Sequence, residues 1–258
     1  MEINNVSFSY GKKEVLRSIT AKIAQGRITS ILGPNGCGKT TLFNLMTKNL
    51  SPSGGGIYLD GKNIRSISLR EFAKKVAIVH QYNTAPQDVT VGTLVAYGRT
   101  PYTSFYRQHS REDREIIEWA MKMTDIAQYS DTPISTLSGG ERQRVWIAMA
   151  LSQKTNILLL DEPTTYLDIR YQLQVLGLIK KLNRELGITI VLVLHDVNQA
   201  VRYSDEIIGM EGGRIVVAGS AEEVIRPDVL HEIFHVRLEV FEAGRQKFVM
   251  TPGDDDFG

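Results

Sequence analysis

Cysteine is nearly absent. Cys37 stands alone among 258 residues, so no internal disulfide can form and the chain must be held by its own core. A lone cysteine also fits a reducing compartment. Proline is scarce, 8 residues beside 22 glycines, which excludes collagen-like and proline-rich disordered chains. Neither sign of charge prevails. Thirty basic residues against 29 acidic ones leave a formal net charge of +1, so no whole-chain field draws the protein to nucleic acid or to an anionic membrane. Long apolar runs are missing too. One of the longest, Ile188–Leu194, is interrupted by Thr189 and falls far short of the ~20 residues that span a bilayer. The opening MEINNVSFSY has neither the basic nor the apolar stretch of a signal peptide. A cytosolic chain is expected, with any membrane role coming through a partner and no nucleic acid among its ligands.

What is present is a globular composition, 42% hydrophobic and 23% charged. Against ~150 residues per domain, the length favours one large domain with a subdomain. Four apolar, β-branched runs predict buried strands: Ile28–Leu32, Val76–Val79, Ile157–Leu160 and Thr189–Leu194. They lack polar alternation, as strands covered on both faces do. Helical patterns at Lys39–Met46 and Tyr171–Leu186 lie between them, and that alternation predicts an α/β fold with a mostly parallel sheet. Glu2–Tyr10 and Ile57–Ile64 predict a small antiparallel piece turning at Asp60-Gly61. Glu206–Met210 and Arg214–Ala218 predict a second hairpin around Gly212-Gly213. Val89–Ala150 contains no convincing strand. There Ser110–Asp113 predicts a capping box, followed by a helix over Glu115–Ala127 that packs Ile116, Trp119, Ala120 and Met123. Asp254–Asp256 reads as a solvated, frayed tail.

The strongest local signal is Gly33-Pro34-Asn35-Gly36-Cys37-Gly38-Lys39-Thr40, which matches G-x-x-x-x-G-K-[ST] between a strand and a helix. Its glycines let successive N–H groups close around phosphate oxygens, and the helix N-terminus adds partial positive charge. Lys39 supplies a point charge for the β- and γ-phosphates, and the Thr40 hydroxyl is a natural Mg²⁺ ligand. Cys37 lies inside this loop beside a helix N-terminus, where thiolate character can be favoured; the alternative is a small tolerated side chain that points away from the ligand. Alkylation of Cys37 should block nucleotide binding.

The run Ile157–Leu160 ends in Asp161 and Glu162. Asp161 can hold Mg²⁺, directly or through water, and Glu162 can polarise a water against the γ-phosphate. Downstream of a phosphate loop, this pair favours nucleotide hydrolysis. Leu137-Ser138-Gly139-Gly140-Glu141 contains S-x-x-E, which caps a helix. A Ser-capped, Gly-opened helix start is also suited to a second phosphate contact. His231 and His235 lie four apart; with no third ligand evident, they read as a solvated helix face rather than a metal site.

Leu137–Glu141 followed by Arg142-Gln143-Arg144, shortly before Leu160-Asp161-Glu162-Pro163-Thr164, resembles the ABC (ATP-binding cassette) ATPases. The resemblance runs from about Glu2 to about Ile225. It implies a P-loop NTPase core with a mostly parallel sheet, a small N-terminal antiparallel β-subdomain and an inserted helical subdomain. Within one ATPase domain over 1–258, the helical subdomain is expected at about 85–150 and a C-terminal extension at about 226–258.

The resemblance also implies roles by position. Gly33, Pro34, Asn35, Gly36, Cys37, Gly38, Lys39, Thr40 and Thr41 would hold ATP, with Tyr10 stacking on adenine. Gln81 would reach Mg²⁺ and the attacking water, beside Thr40 and Asp161 as metal ligands. Glu162, His195 and Lys39 would carry hydrolysis, His195 as the γ-phosphate switch. Ser138, Gly139, Gly140 and Glu141 would contact the nucleotide of the other subunit, and Asp168 lies in the loop that crosses between subunits. Tyr166 departs from the alanine common in that loop.

One phosphate loop and one Ser138-type signature per chain imply two copies docked head to tail with ATP between them. Tyr97-Gly98-Arg99-Thr100-Pro101, Glu162–Ile169 and Leu194–Ala200 with Arg202–Asp205 resemble the iron-chelate branch of bacterial importers, which take up ferric siderophores; haem and cobalamin importers are close relatives. Such a chain would work at the cytoplasmic face of the membrane, beneath integral permease subunits and indirectly with an extracytoplasmic substrate-binding protein. The alternatives are the ATPase of a haem or cobalamin importer, a soluble ABC ATPase without a permease, and a P-loop small-molecule kinase, which leaves Leu137–Glu141 unexplained.

Overall fold

The computed structural model describes residues 1–102, 110–244 and 246–250. Asp254–Asp256 lie outside the described residues. The strands are β1 (Glu2–Tyr10), β2 (Lys13–Lys22), β3 (Ile28–Leu32), β4 (Gly54–Leu59), β5 (Lys62–Asn63) and β6 (Val76–Val79). They continue with β7 (Ile157–Asp161), β8 (Thr189–Val193), β9 (Glu206–Glu211), β10 (Arg214–Gly219), β11 (Glu239–Ala243) and β12 (Gln246–Met250). The helices are α1 (Lys39–Met46), α2 (Leu69–Ala73), α3 (Val91–Ala96), α4 (Arg111–Met123) and α5 (Gly139–Ser152). Then follow α6 (Ile169–Leu186), α7 (Val197–Tyr203), α8 (Ala221–Val224) and α9 (Pro227–Phe234). The chain divides into two compact units, Met1–Ile67 with Val191–Gly258, and Ser68–Ile190.

The first unit holds two large sheets. One is antiparallel, in the order β2-β1-β4-β5, and buries Ile3, Val6 and Phe8 of β1 against Leu16 and Ile19 of β2. Asp60 and Gly61, with φ of 51° and 75°, make the left-handed turn between β4 and β5 that a tight hairpin requires. The other runs β10-β9-β3-β8. β3 and β9 are parallel from Thr29↔Glu206 to Leu32↔Gly209, and β9 and β10 form the expected antiparallel hairpin. All five residues of β3 and of β8 are buried, as their unbroken apolar character demands. β3 leads directly into the glycine-rich loop and α1.

In the second unit β6 and β7 are parallel, from Val76↔Ile157 to Val79↔Leu160. The described residues between β6 and β7 form helices and turns, with an isolated bridge between Thr90 and Pro133. The capping box forms: Ser110 Oγ accepts from the Asp113 N–H at 3.0 Å, and Asp113 Oδ2 accepts from the Ser110 N–H at 3.0 Å. The face of α4 that packs differs from the expected one. Ile117, Ala120 and Met121 are buried, with Thr124 just beyond, while Ile116, Trp119 and Met123 are only half-buried. The cause is polar. Arg99 draws Asp113 inward, donating from Nε to Oδ1 at 2.8 Å and from Nη1 to the Ser152 carbonyl at 2.9 Å. With Asp113 pinned inside, positions 117, 120, 121 and 124 follow it on the 3.6-residue period.

Burial pushes the Asp113 carboxyl up, but hydrogen bonds from Arg99 and Ser110 outweigh it and hold the group below the ordinary carboxylate range. Its contribution to stability is therefore complete above the unfolded carboxylate pKa and is lost as pH falls through the depressed folded value. Arg99→Leu strands a buried carboxylate and should cost about 3–5 kcal/mol in urea unfolding at pH 7. The deficit should shrink in acid, where Asp113 is protonated; a deficit independent of pH would deny the ion pair its role.

The C-terminal region carries more structure than its sequence suggested: α9 and a separate two-stranded hairpin of β11 and β12. His231 lies on α9, whereas His235 ends it in a left-handed conformation, φ 56°, with Nε2 3.2 Å from Glu211 Oε1. Among the described residues no group of three His, Cys, Asp or Glu side chains is placed to hold a metal. No helix among them is long and apolar enough to cross a membrane.

Candidate functional site

In the first unit the glycine-rich loop joins β3 to α1. Gly33 has φ 155° and Gly38 φ 107°. A Cβ on Gly38 would lie 2.6 Å from Leu16 Cδ2, and one on Gly33 would overlap the Met210 carbonyl oxygen. Both positions therefore need glycine for space, and Gly38 needs it for its left-handed backbone as well. Gly38 offers no side chain to cap α1, and the first turn carries no acidic residue, so the leading N–H groups suit an anion. Lys39 is 4% exposed, and its Nζ donates to the carbonyls of Gly33 at 2.7 Å and Pro34 at 2.9 Å. A buried ammonium needs such partners, and they shape the loop around it. Asn35 and Gly36 are exposed on the loop and Thr40 in the first turn of α1, while Pro34 is half-buried and Thr41 is buried.

Cys37 corrects the expectation made for it. The side chain is buried, and burial pushes the thiol up against the pull of the Lys39 charge. Desolvation outweighs the helix terminus here, so Cys37 is a packed thiol rather than a poised thiolate. Tyr10 stands half-exposed at the end of β1, edge-on to Phe8 with ring centroids 4.8 Å apart. His195 is exposed in the link between β8 and α7.

In the second unit β7 carries Asp161 to its C-terminal end, buried, and Glu162 follows with φ 47°. Gln81, at the exit of β6, donates from Nε2 to Glu162 Oε2 at 2.5 Å, and Thr165 Oγ1 donates to the same oxygen at 3.0 Å. The fold thus brings together two residues 81 positions apart. Thr165 was not anticipated; its only signal was a hydroxyl three residues beyond the carboxylate. Tyr166 has φ 64° and is 81% exposed. Its hydroxyl lies 2.9 Å from that of Tyr82, next to Gln81 in the chain. Asp168 Oδ1 accepts from the Tyr171 N–H at 3.0 Å and so caps α6.

Ser138 and Glu141 form the capping box their spacing predicted. Ser138 donates to Glu141 Oε2 from its N–H at 2.8 Å and from its hydroxyl at 2.6 Å. Hydrogen bonds from Ser138 and then Tyr129 hold the Glu141 carboxyl below its ordinary range. A Cβ on Gly139 would meet Leu167 Cδ2 at 3.2 Å, and one on Gly140 would lie 2.7 Å from Tyr171 Cγ. These glycines therefore let the start of α5 approach the loop that opens α6 and the first turn of α6.

These features define a nucleotide-binding cassette. A family model described as ABC transporter matches residues 16–165, and the chain belongs to that family. Membership carries with it ATP binding and ATP hydrolysis coupled to transport.

Particular relatives are similar over nearly the whole chain. It is 44% identical to the iron(3+)-hydroxamate import ATP-binding protein FhuC of Bacillus subtilis, over 93% of this chain and 89% of that protein. It is 41% identical to the ferric enterobactin transport ATP-binding protein FepC of Escherichia coli, over 92% of this chain and 88% of that protein. Among solved structures, the dimeric post-hydrolysis state of the cassette MJ0796, bound to ADP and Pi, superposes with a TM-score of 0.73 at 29% identity. That match covers 85% of this chain and 98% of the other.

Proposed function

We propose that this chain is the ATP-hydrolysing subunit of an importer for an iron chelate such as a ferric siderophore. The observation that supports it is the near-full-length similarity to FhuC and FepC, whose names state iron(3+)-hydroxamate import and ferric enterobactin transport. The chain would act as one ATPase domain, with a helical subdomain at about 85–150 and a C-terminal extension at about 226–258. Two copies would dock head to tail beneath a separate permease at the cytoplasmic face of the membrane, served by an extracytoplasmic binding protein.

In this reading Gly33 to Thr41 wrap the phosphates of ATP, Lys39 neutralises the β- and γ-phosphates, and Tyr10 stacks on adenine. The donors assigned to Mg²⁺ are all oxygens, the Thr40 hydroxyl, the Asp161 carboxylate and the Gln81 amide carbonyl, which suits this hard cation. When bound, Mg²⁺ would offset charge on the β- and γ-phosphates. Glu162 orients and deprotonates the attacking water, and His195 holds the γ-phosphate. Ser138, Gly139, Gly140 and Glu141 of the other copy complete the contact, and Asp168 lies in the loop that crosses between copies. Ser138 donates to Glu141 in the structure, so its hydroxyl would have to turn to reach a phosphate. ATP closes the pair of cassettes, and loss of the γ-phosphate reopens it, an equilibrium that can do work on the permease.

Deletion of the gene followed by ⁵⁵Fe uptake from single ferric siderophores tests the assignment. Loss of uptake for at least one chelate is expected. Unchanged iron uptake with loss of another solute would overturn it.

A further inference from the structure

α7 begins two residues after His195, capped by Asp196, and has only seven residues, too few to be stable without tertiary anchors. Its far end is tied to β3. Ser204 and Ser30 share a hydroxyl hydrogen bond of 2.5 Å; the Ile28 N–H donates to Asp205 Oδ2, and the Asp205 N–H to the Ile28 carbonyl, both at 2.8 Å. Its first turn is tied elsewhere. Asn198 Nδ2 donates to the Val249 carbonyl at 3.0 Å, and the Val249 N–H donates to Asn198 Oδ1 at 2.8 Å. The carboxamide presents donor and acceptor side by side, as a peptide group does, and so meets β12 as another strand would.

Apolar packing surrounds this pair. Val249 of the hairpin forms a buried cluster with Ile225 and Leu230, against which Val197 and Val201 of α7 and Val240 of β11 pack. On the opposite face the cross-strand pair Phe241↔Phe248 is exposed. The hairpin therefore has an inner face fitted to α7 and an outer face with no part in that contact. Just upstream of α7, the Leu194 N–H is held by the Ile31 carbonyl at 3.1 Å. His195 thus occupies the three-residue link, Leu194 to Asp196, between an anchored strand and a helix whose first turn is fastened to the C-terminal hairpin.

We propose that the β11–β12 hairpin is a brace for the switch histidine, with Asn198 as the positioning residue that fastens it. The hairpin fixes the orientation of α7, and α7 fixes where the His195 side chain stands. The catalytic consequence rests on the proposed role of His195; the mechanical link does not.

The test uses the full chain labelled with ¹³Cε1-histidine, the His195 resonance being assigned by its loss in His195→Gln. Asn198→Ala removes both hydrogen bonds, and Asn198→Asp removes the donor alone. Asn198→Ala should speed amide exchange at Val249 by about 10-fold or more, whereas Asn198→Asp keeps the acceptor for that N–H and should leave it largely protected; both should shift or broaden the His195 resonance while that of His80 stays in place. They should lower kcat about 3- to 10-fold with KM within about twofold. Phe241→Ser, on the outer face, should change none of these. The brace is overturned if Val249 stays protected in Asn198→Ala, or if its exchange rises while the His195 resonance does not move. A moved resonance with unchanged kcat would uphold the brace and remove His195 from its assigned part in hydrolysis.

Discussion

Glu162→Gln is expected to bind Mg·ATP and to lose hydrolysis by about 10²–10⁴, the range attached to a general base. The amide keeps the shape of the side chain and an oxygen to accept from Gln81 and Thr165, which meet at Oε2 in the wild-type chain. What it loses is the capacity to take a proton from water. ATP should persist, and the closed pair of cassettes should accumulate with it, seen as an ATP-dependent dimer by size exclusion and as absent phosphate release. Folding should not suffer, because a neutral amide is easier to bury than the carboxylate it replaces. Turnover within a fewfold of wild type would remove Glu162 from its role.

The second large effect belongs to Lys39→Ala, and it has two components. The carbonyls of Gly33 and Pro34 both lose the Lys39 ammonium; that of Pro34 keeps the Cys37 N–H at 3.4 Å, so the cost falls on the buried Gly33 carbonyl, about 1–3 kcal/mol for an acceptor left unsatisfied, and thermal unfolding should move to lower temperature. Nucleotide binding should weaken further than that loss explains. Removing the cation from a charge pair with phosphate costs about 2–5 kcal/mol, at least ~30-fold in Kd. Titration calorimetry on the folded variant, well below its Tm, separates the two. Retained ATP affinity in a folded Lys39→Ala chain would contradict the assignment of this loop.

Much of this was readable from local pattern. The runs Ile28–Leu32 and Val76–Val79 are strands with those limits, and Lys39–Met46 is a helix with those limits, because unbroken apolar runs and a Gly-Lys-Thr helix start depend on neighbours in the chain. Both capping boxes read at S-x-x-D and S-x-x-E are present for the same reason. Where expectation and structure part, a distant residue intervenes. Arg99 rotates the packed face of α4 by pairing with Asp113. The thiol of Cys37 is governed by how deeply the loop buries it rather than by its place before a helix. α9 and the C-terminal hairpin gave little sign, since strands of five residues show their register only against a partner.

Motif spacing, turn glycines and apolar periodicity were enough to define the class of protein and to nominate the residues for its chemistry, because each acts over a few neighbouring positions. Which of those residues meet was decided by packing. The sheet delivers Gln81 to Glu162 across 81 positions, and Asn198 reaches Val249 across 51. Hydrogen bonds of that span have no trace in local composition. They exist only once loop closure has been paid for by the buried core.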